Sequence, residues 1–154
     1  MPPFKAESSA MSSTNPMLYP VAALGALTFC VLVLIPFQRF RAAARHQVTA
    51  RDFALGESER VPPEARLANR NLMNLLEMPV LFYVACLTAY VTQATGSFLV
   101  PLAWLYVALR LVHSVIHIGY NNVYHRLGAY AASNVVLLVF WIALFRMLLV
   151  PMPL

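Results

Sequence analysis

Four long apolar stretches constrain this chain more than any other feature of its sequence. They lie at about residues 18–37, 63–92, 98–119 and 127–149, and short connections join them. A helix needs about 20 residues to cross roughly 30 Å of hydrocarbon, so each stretch is long enough to span a membrane. With 60% hydrophobic and only 11% charged residues, a soluble domain would lack the polar surface to cover itself. We therefore predict an all-α membrane protein, a four-transmembrane-helix bundle over residues 18–149.

The ends of the chain and its charges predict the orientation. Residues 1–17 are expected to form a disordered tail, with Met11 and Met17 as alternative starts, and residues 150–154 a short C-terminal tail. Seven of the eleven basic residues lie in or beside the connection between the first and second helices. By the positive-inside rule, this connection and the one between the third and fourth helices face the cytoplasm, and both termini face the opposite side. A bacterial inner membrane is expected, and no motif for nucleic-acid binding appears.

Two ionisable residues lie inside the predicted spans, where each costs a few kcal/mol to insert. Glu77 lies about 9 Å from the cytoplasmic edge of the second helix, and Arg110 lies about 12 Å from that edge on the third. Because the depths are similar, we predict an interhelical ion pair between Glu77 and Arg110. Such a pair either belongs to a binding site or only fixes the packing of the helices.

The second helix carries a polar stripe. Arg70, Asn74 and Glu77 are spaced by four and three residues, which places them on one face of a helix. Pro79 removes a backbone hydrogen bond beside this stripe and predicts a kink there. Cations at the membrane edge with a carboxylate deeper in suit a zwitterionic ligand that carries both carboxylates and an ammonium group.

Two histidines, His113 and His117, are four residues apart on the third helix. This spacing is compatible with a pair of metal or haem ligands, and a small transporter or haem-binding helper is a third hypothesis for the chain. No acidic or cysteine partner accompanies them at a recognised spacing. We therefore predict no metal site and interpret both as hydrogen-bonding residues near the interface.

Two segments resemble one known family. The segment RNLMNLLEMPVLF at residues 70–82 resembles the Arg-x-x-x-Asn-x-x-Glu signature of the membrane-associated proteins in eicosanoid and glutathione metabolism, the MAPEG family. The segment WLYVALRLVHSVIHIGYNNVYHRLGAYAASN at residues 104–134 is similar to the third and fourth helices of its prokaryotic branch. The resemblance covers about residues 18–149.

The resemblance implies a homotrimer that binds glutathione at clefts between subunits on the cytoplasmic side. It implies that Arg126 stabilises the glutathione thiolate as the catalytic residue. It also implies a set of glutathione-binding residues: Arg70, Asn74, Glu77, Tyr120 (with Tyr124 as the alternative alignment) and Arg41 (with Arg39 as the alternative).

Two functions follow from the resemblance. The first is a membrane-bound, glutathione-dependent transferase or peroxidase that acts on hydrophobic small molecules entering from the bilayer, with glutathione as cosubstrate. The second is a non-catalytic membrane protein of the same family that binds lipid or a protein partner in the same cleft.

Overall fold

The computed structural model describes residues 15–54, 56–94 and 98–149. This part of the chain contains no strand, and four of its segments are long and apolar enough to span a membrane. The predicted all-α, four-span bundle is therefore confirmed. The helices are α1 (Leu18–Ala44), α2 (Pro63–Leu76), α3 (Pro79–Val91), α4 (Leu99–Ile118) and α5 (Val123–Leu149), with a 3₁₀ helix at Ala50–Phe53.

Two helix ends differ from the predicted bounds. Helix α1 continues past Phe37 to Ala44, because the segment that follows is rich in good helix formers and lacks an early stop signal. Helix α5 begins at Val123 rather than near Leu127. The side-chain oxygen of Asn122 accepts hydrogen bonds from the backbone N–H groups of Tyr124 and His125, at 3.0 and 3.1 Å, and so caps the helix earlier than expected. The predicted tails lie largely outside the described residues.

The second span, Pro63–Val91, is broken into α2 and α3 where a kink was expected. Pro79 has no N–H, and its ring clashes with the carbonyl four residues earlier in a continuous helix. Helix α2 therefore ends at Leu76, and Glu77 adopts a non-helical backbone with φ −87° and ψ −96°. Pro79 then occupies the first turn of α3, where its missing N–H has no consequence.

The bundle core lies where the helices face one another. Helix α4 packs along α5 and also contacts α1 and α2, so it is the central element. Phe82 of α3 stacks on Tyr106 of α4, with ring centroids 4.6 Å apart and planes at 17°. Within the most apolar window of α1, and likewise of α5, only 22% of residues are buried. Their large outward apolar surface suits contact with lipid or with another subunit.

The connection between α1 and α2 is folded against the end of the bundle. Arg39 pairs with Glu57 at 3.2 Å, and its guanidinium lies 4.6 Å from the ring centre of Phe53. These contacts hold the connection over a small apolar cluster formed by Ala42, Val48, Val61 and Ala65.

Asp52 organises the same connection. Its carboxylate accepts hydrogen bonds from the Thr49 N–H at 2.8 Å, the Ser58 hydroxyl at 2.7 Å and the Thr49 hydroxyl at 3.0 Å. Because these donors favour the charged carboxylate, they hold the pKa of Asp52 below its usual range.

Candidate functional site

One cleft of about 410 Å³ opens between α2, α4 and α5. We call it the α2–α4–α5 cleft. Two residues predicted to bind glutathione lie in it together with the predicted catalytic arginine. Its lining consists of Arg70, Met73 and Asn74 from α2, His113 and His117 from α4, and Val123, Arg126, Leu127 and Tyr130 from α5.

Two of the cleft's side chains are cations, and none of the described residues that line it is acidic. Arg126 is held by the turn before α5, where its Nη1 donates to the Asn121 side-chain oxygen at 2.9 Å. Arg70 is exposed and lies one helical turn before Asn74. Two guanidinium groups without a carboxylate among their neighbours in the lining favour an anionic ligand.

Asn74 is tied to its own helix and to α4. Its side-chain Nδ2 donates to the Arg70 carbonyl at 3.0 Å, which orients the amide along the helix. Its backbone carbonyl accepts a hydrogen bond of 2.6 Å from Nη2 of Arg110. The α2 segment of the cleft is therefore fixed from both sides.

Arg110 does not form the predicted ion pair with Glu77; in the described parts of the chain, no contact within 4.0 Å joins their charged groups. Helix α2 ends at Leu76, so the Asn74 carbonyl is one of the last four, which have no intrahelical N–H partner. Arg110 satisfies this carbonyl and places its positive charge at the negative end of the helix dipole. It is fully buried and acts as a cap on α2.

Three predicted glutathione-binding residues lie elsewhere on the single chain. Glu77 is exposed at the break between α2 and α3. Tyr120 shares a hydrogen bond of 2.9 Å with Nδ1 of His125 in the turn before α5. Arg41 lines a different pocket, between α1 and α2. The structure does not bring these three into the α2–α4–α5 cleft, and their part in glutathione binding stays a prediction.

The cleft also contains two histidines that sequence reasoning did not assign to the glutathione site. His113 and His117 are both 2% exposed, with ring centres 5.4 Å apart. Nδ1 of His113 lies 3.1 Å from the Arg126 carbonyl. A carbonyl only accepts, so Nδ1 carries the proton, and Nε2 of the neutral ring is an acceptor without a partner among the described residues. The sequence feature that could have identified them is their spacing of four residues, which places both side chains on one face of α4.

The two arginines beside the histidines make the cleft better suited to an anionic ligand than to a metal cation. In the described part of the chain, no three His, Cys, Asp or Glu side chains come together as a metal site requires. The two guanidinium groups in the same cleft repel a metal ion. The histidines are therefore placed to hydrogen-bond a ligand that the arginines attract.

Comparison with known families agrees with the motifs. The model of the MAPEG family matches residues 17–146, a range that includes α1 to α4 and most of α5. This chain belongs to the MAPEG family. The resemblance carried by residues 70–82 and 104–134 is thereby confirmed at the level of the family. This MAPEG protein has no match among the curated proteins or the solved structures.

Family membership fixes the broad class of the protein. It is an integral membrane protein of a family in eicosanoid and glutathione metabolism, and its four apolar spans fit that assignment. Within this MAPEG protein, the α2–α4–α5 cleft unites the first two residues of the family signature with Arg126.

Proposed function

We propose that this MAPEG protein is a membrane-bound, glutathione-dependent transferase or peroxidase that activates the glutathione thiolate against hydrophobic electrophiles. One observation carries the proposal. Arg70 and Asn74, which lie far from Arg126 in sequence, line the same cleft as Arg126, and no acidic residue among the described ones joins them.

The cleft offers complementary groups for a tripeptide with two carboxylates. The guanidinium of Arg70 suits a bidentate contact with a carboxylate, and the Asn74 amide suits a peptide group. Nε2 of His113 would accept a hydrogen bond from a ligand N–H group. These contacts would hold the peptide while leaving its thiol near Arg126.

Arg126 would supply the activation. A free thiol has a pKa of about 8.5 and is only a few per cent ionised at neutral pH. A cation within about 4–6 Å favours the charged form and lowers such a pKa by about 1–3 units. The thiol proton would pass to water, and the thiolate formed beside Arg126 would attack an electrophilic carbon in the transferase reaction. The new carbon–sulfur bond would replace the bond from that carbon to a leaving group, which departs with its electron pair.

The electrophile would enter from the bilayer. Met73, Val123 and Leu127 line the cleft and are each more than half exposed, so the cleft has an apolar lip on the outside of the bundle. A hydrophobic substrate dissolved in lipid would reach the thiolate across this apolar lip, without passing the arginines and histidines of the cleft.

Assembly as a homotrimer belongs to the proposal. Glu77 is exposed on the single chain at a depth of about 9 Å within the span. A carboxylate facing lipid costs a few kcal/mol, so a neighbouring subunit that covers Glu77 would stabilise it. In this arrangement the α1–α2 connection faces the cytoplasm.

The test is the ultraviolet absorbance of thiolate after rapid mixing of the detergent-solubilised protein with glutathione at neutral pH. We expect a saturable signal that is lost in Arg126→Ala. Arg146→Ala, which removes an exposed arginine from the far end of α5, is the matched control and should keep the signal.

Absence of a saturable signal with the unchanged protein would refute the enzymatic proposal. The function would then be that of a non-catalytic MAPEG protein which binds lipid or a protein partner in the cleft.

A further inference from the structure

A second pocket lies where the end of α1 meets the start of α2. It has a volume of about 210 Å³, and we call it the α1–α2 pocket. Its floor is formed by Ala42 and Ala65, which are both buried and too small to fill the space. It shares no lining residue with the α2–α4–α5 cleft. Its polar walls are formed by Gln38, Arg41, Arg45, Gln47 and Glu64.

The walls of this pocket carry opposite charges that do not pair. Arg41 lies in the last turn of α1, Arg45 directly follows the end of that helix, and Glu64 lies in the first turn of α2. Among the described residues, no contact within 4.0 Å joins Glu64 to either arginine. Arg39, on the same stretch of α1, does pair with an acid, at 3.2 Å. Separate cationic and anionic walls around one small space fit a ligand that carries both charges.

Gln38 gives an independent indication of a ligand. Its Oε1 atom is buried and has no hydrogen-bond partner in the described part of the chain, although the side chain lines the pocket. Buried polar atoms normally have a partner, and leaving one without costs about 1–3 kcal/mol. As an acceptor, Oε1 would be satisfied by an N–H donor such as an ammonium group.

The pocket lies at the level of the lipid head groups. The apolar run of α1 ends near Phe37, and Arg41 and Arg45 follow by about 6 and 12 Å along the helix axis. Each head-group layer is about 5–8 Å thick, so the backbone of Arg41 falls within it. The backbone of Arg45 lies beyond its outer edge, and the long side chain of Arg45 can extend back towards the layer. Phe40, between the run and the arginines, is 75% exposed and would lie at the boundary of the acyl chains.

We propose that the α1–α2 pocket binds the head group of a zwitterionic aminophospholipid. Arg41 and Arg45 contact the phosphate, and Glu64 and the Gln38 oxygen contact the ammonium group. The acyl chains lie along the exposed apolar face of α1 beside Phe37 and Phe40. The site holds a resident lipid at the cytoplasmic end of α1 and is separate from the chemistry proposed for the α2–α4–α5 cleft.

The test measures lipid binding by native mass spectrometry of the delipidated full-length protein in detergent. The probes are phosphatidylethanolamine, phosphatidylglycerol and diacylglycerol with the same acyl chains, together with phosphoethanolamine, which has no acyl chains. S-hexylglutathione is added as a competitor. We expect phosphatidylethanolamine to bind about tenfold or more tightly than diacylglycerol, since charge-assisted contacts to the phosphate are lost in the latter.

Two substitutions test the cationic and the anionic wall of the pocket separately. Arg45→Gln should weaken binding of phosphatidylethanolamine and phosphatidylglycerol alike, by about tenfold. Glu64→Gln should weaken phosphatidylethanolamine by several-fold and strengthen phosphatidylglycerol, because it removes the partner of the ammonium group. Arg51→Gln, an exposed arginine of the same connection outside this pocket, is the matched control and should change neither. All three side chains are exposed, so circular dichroism should stay unchanged.

Three results would overturn the proposal. One is an equal loss of binding in Arg51→Gln and Arg45→Gln, which would mean attraction to net charge alone. Another is equal affinity for phosphoethanolamine without acyl chains, which would mean a free metabolite. The third is displacement of the lipid by S-hexylglutathione, which would mean a peptide site.

Discussion

The stack between Phe82 and Tyr106 is expected to carry a measurable part of the stability of the bundle. Phe82 is fully buried, Tyr106 is 1% exposed, and their rings lie 4.6 Å apart. The stack joins α3 to α4 and thereby holds the broken second span against the helix that carries Arg110. Replacing Phe82 with alanine removes the stack and leaves a cavity.

The expected loss of stability depends on the environment that Phe82 enters when the bundle unfolds. A helix that leaves the bundle stays in lipid or detergent, so transfer of Phe82 from water contributes little. The cavity remains. At about 24 cal/mol per Å³, a cavity on the order of 100 Å³ costs about 2.4 kcal/mol. Loss of the aromatic pair adds about 0.5–1.5 kcal/mol. We therefore expect Phe82→Ala to lower the free energy of unfolding by about 3–4 kcal/mol.

The assay is unfolding in mixed micelles of dodecyl maltoside and dodecyl sulfate, followed by circular dichroism. Phe82→Leu should lose about 1 kcal/mol, because it keeps most of the volume. Phe29, which is 69% exposed on α1, is the matched control, and Phe29→Ala should change stability by less than about 0.5 kcal/mol. A loss below about 1 kcal/mol in Phe82→Ala would refute the cavity reasoning. An equal loss in Phe29→Ala would show that burial in the single chain does not set the stability.

Three further predictions concern named contacts. Tyr106→Phe should keep or raise stability by up to about 1 kcal/mol in the same assay, because the buried hydroxyl has no partner among the described residues. His113→Leu should weaken glutathione binding by about 3–10-fold in calorimetry, because it frees the Arg126 carbonyl and removes a cleft acceptor. For Asp52, whose pKa is lowered, the stabilisation is complete above the unfolded pKa of about 3.9 and is lost as pH falls through the folded value. The protection of the Thr49 amide, measured as its hydrogen-exchange rate relative to that of an unfolded peptide at the same pH, should therefore fall at acid pH.

Each of these has a result that would contradict it. A clear loss of stability in Tyr106→Phe would mean that the hydroxyl has a bonding partner in the membrane. Unchanged glutathione affinity in His113→Leu would remove the histidine from the site. In Asp52→Asn, the acid dependence of the Thr49 protection should disappear, so its persistence would assign the effect to another group.

The spans and the break were predictable because they depend on local sequence. Apolar length defines the spans, and Pro79 disrupts a helix in any context. The position of Arg70 and Asn74 on one helix face was also predictable, because both residues lie within α2 and are four residues apart. The same spacing argument predicted Glu77 on the face of Asn74, but Glu77 does not line the cleft. The prediction assumed a continuous helix, whereas α2 ends at Leu76 and Glu77 has left the helical backbone.

The partners of Arg110 and of the two histidines were not predictable from spacing. Depth alone suggested an acid for Arg110, but the actual acceptor is a backbone carbonyl that is free only because the helix ends beside it. His113 and His117 were recognised as a helical pair, yet the cleft they share with two arginines needs three helices to meet. Long-range packing of this kind leaves no signature in the local pattern.

The break at Pro79 and the buried Arg110 are each costly in a membrane, and one hydrogen bond offsets part of both costs. A broken helix leaves carbonyls without donors in a medium that supplies none, at several kcal/mol each. A buried guanidinium is costly for the opposite reason, since it has donors without acceptors. The bond of 2.6 Å from Nη2 of Arg110 gives the Asn74 carbonyl a donor and gives one guanidinium nitrogen an acceptor. Nε and Nη1 of Arg110 have no hydrogen-bond partner in the described part of the chain. The bond between Arg110 and Asn74 also fixes the turn of α2 that places Arg70 and Asn74 opposite Arg126, so the same contact that stabilises the break shapes the cleft.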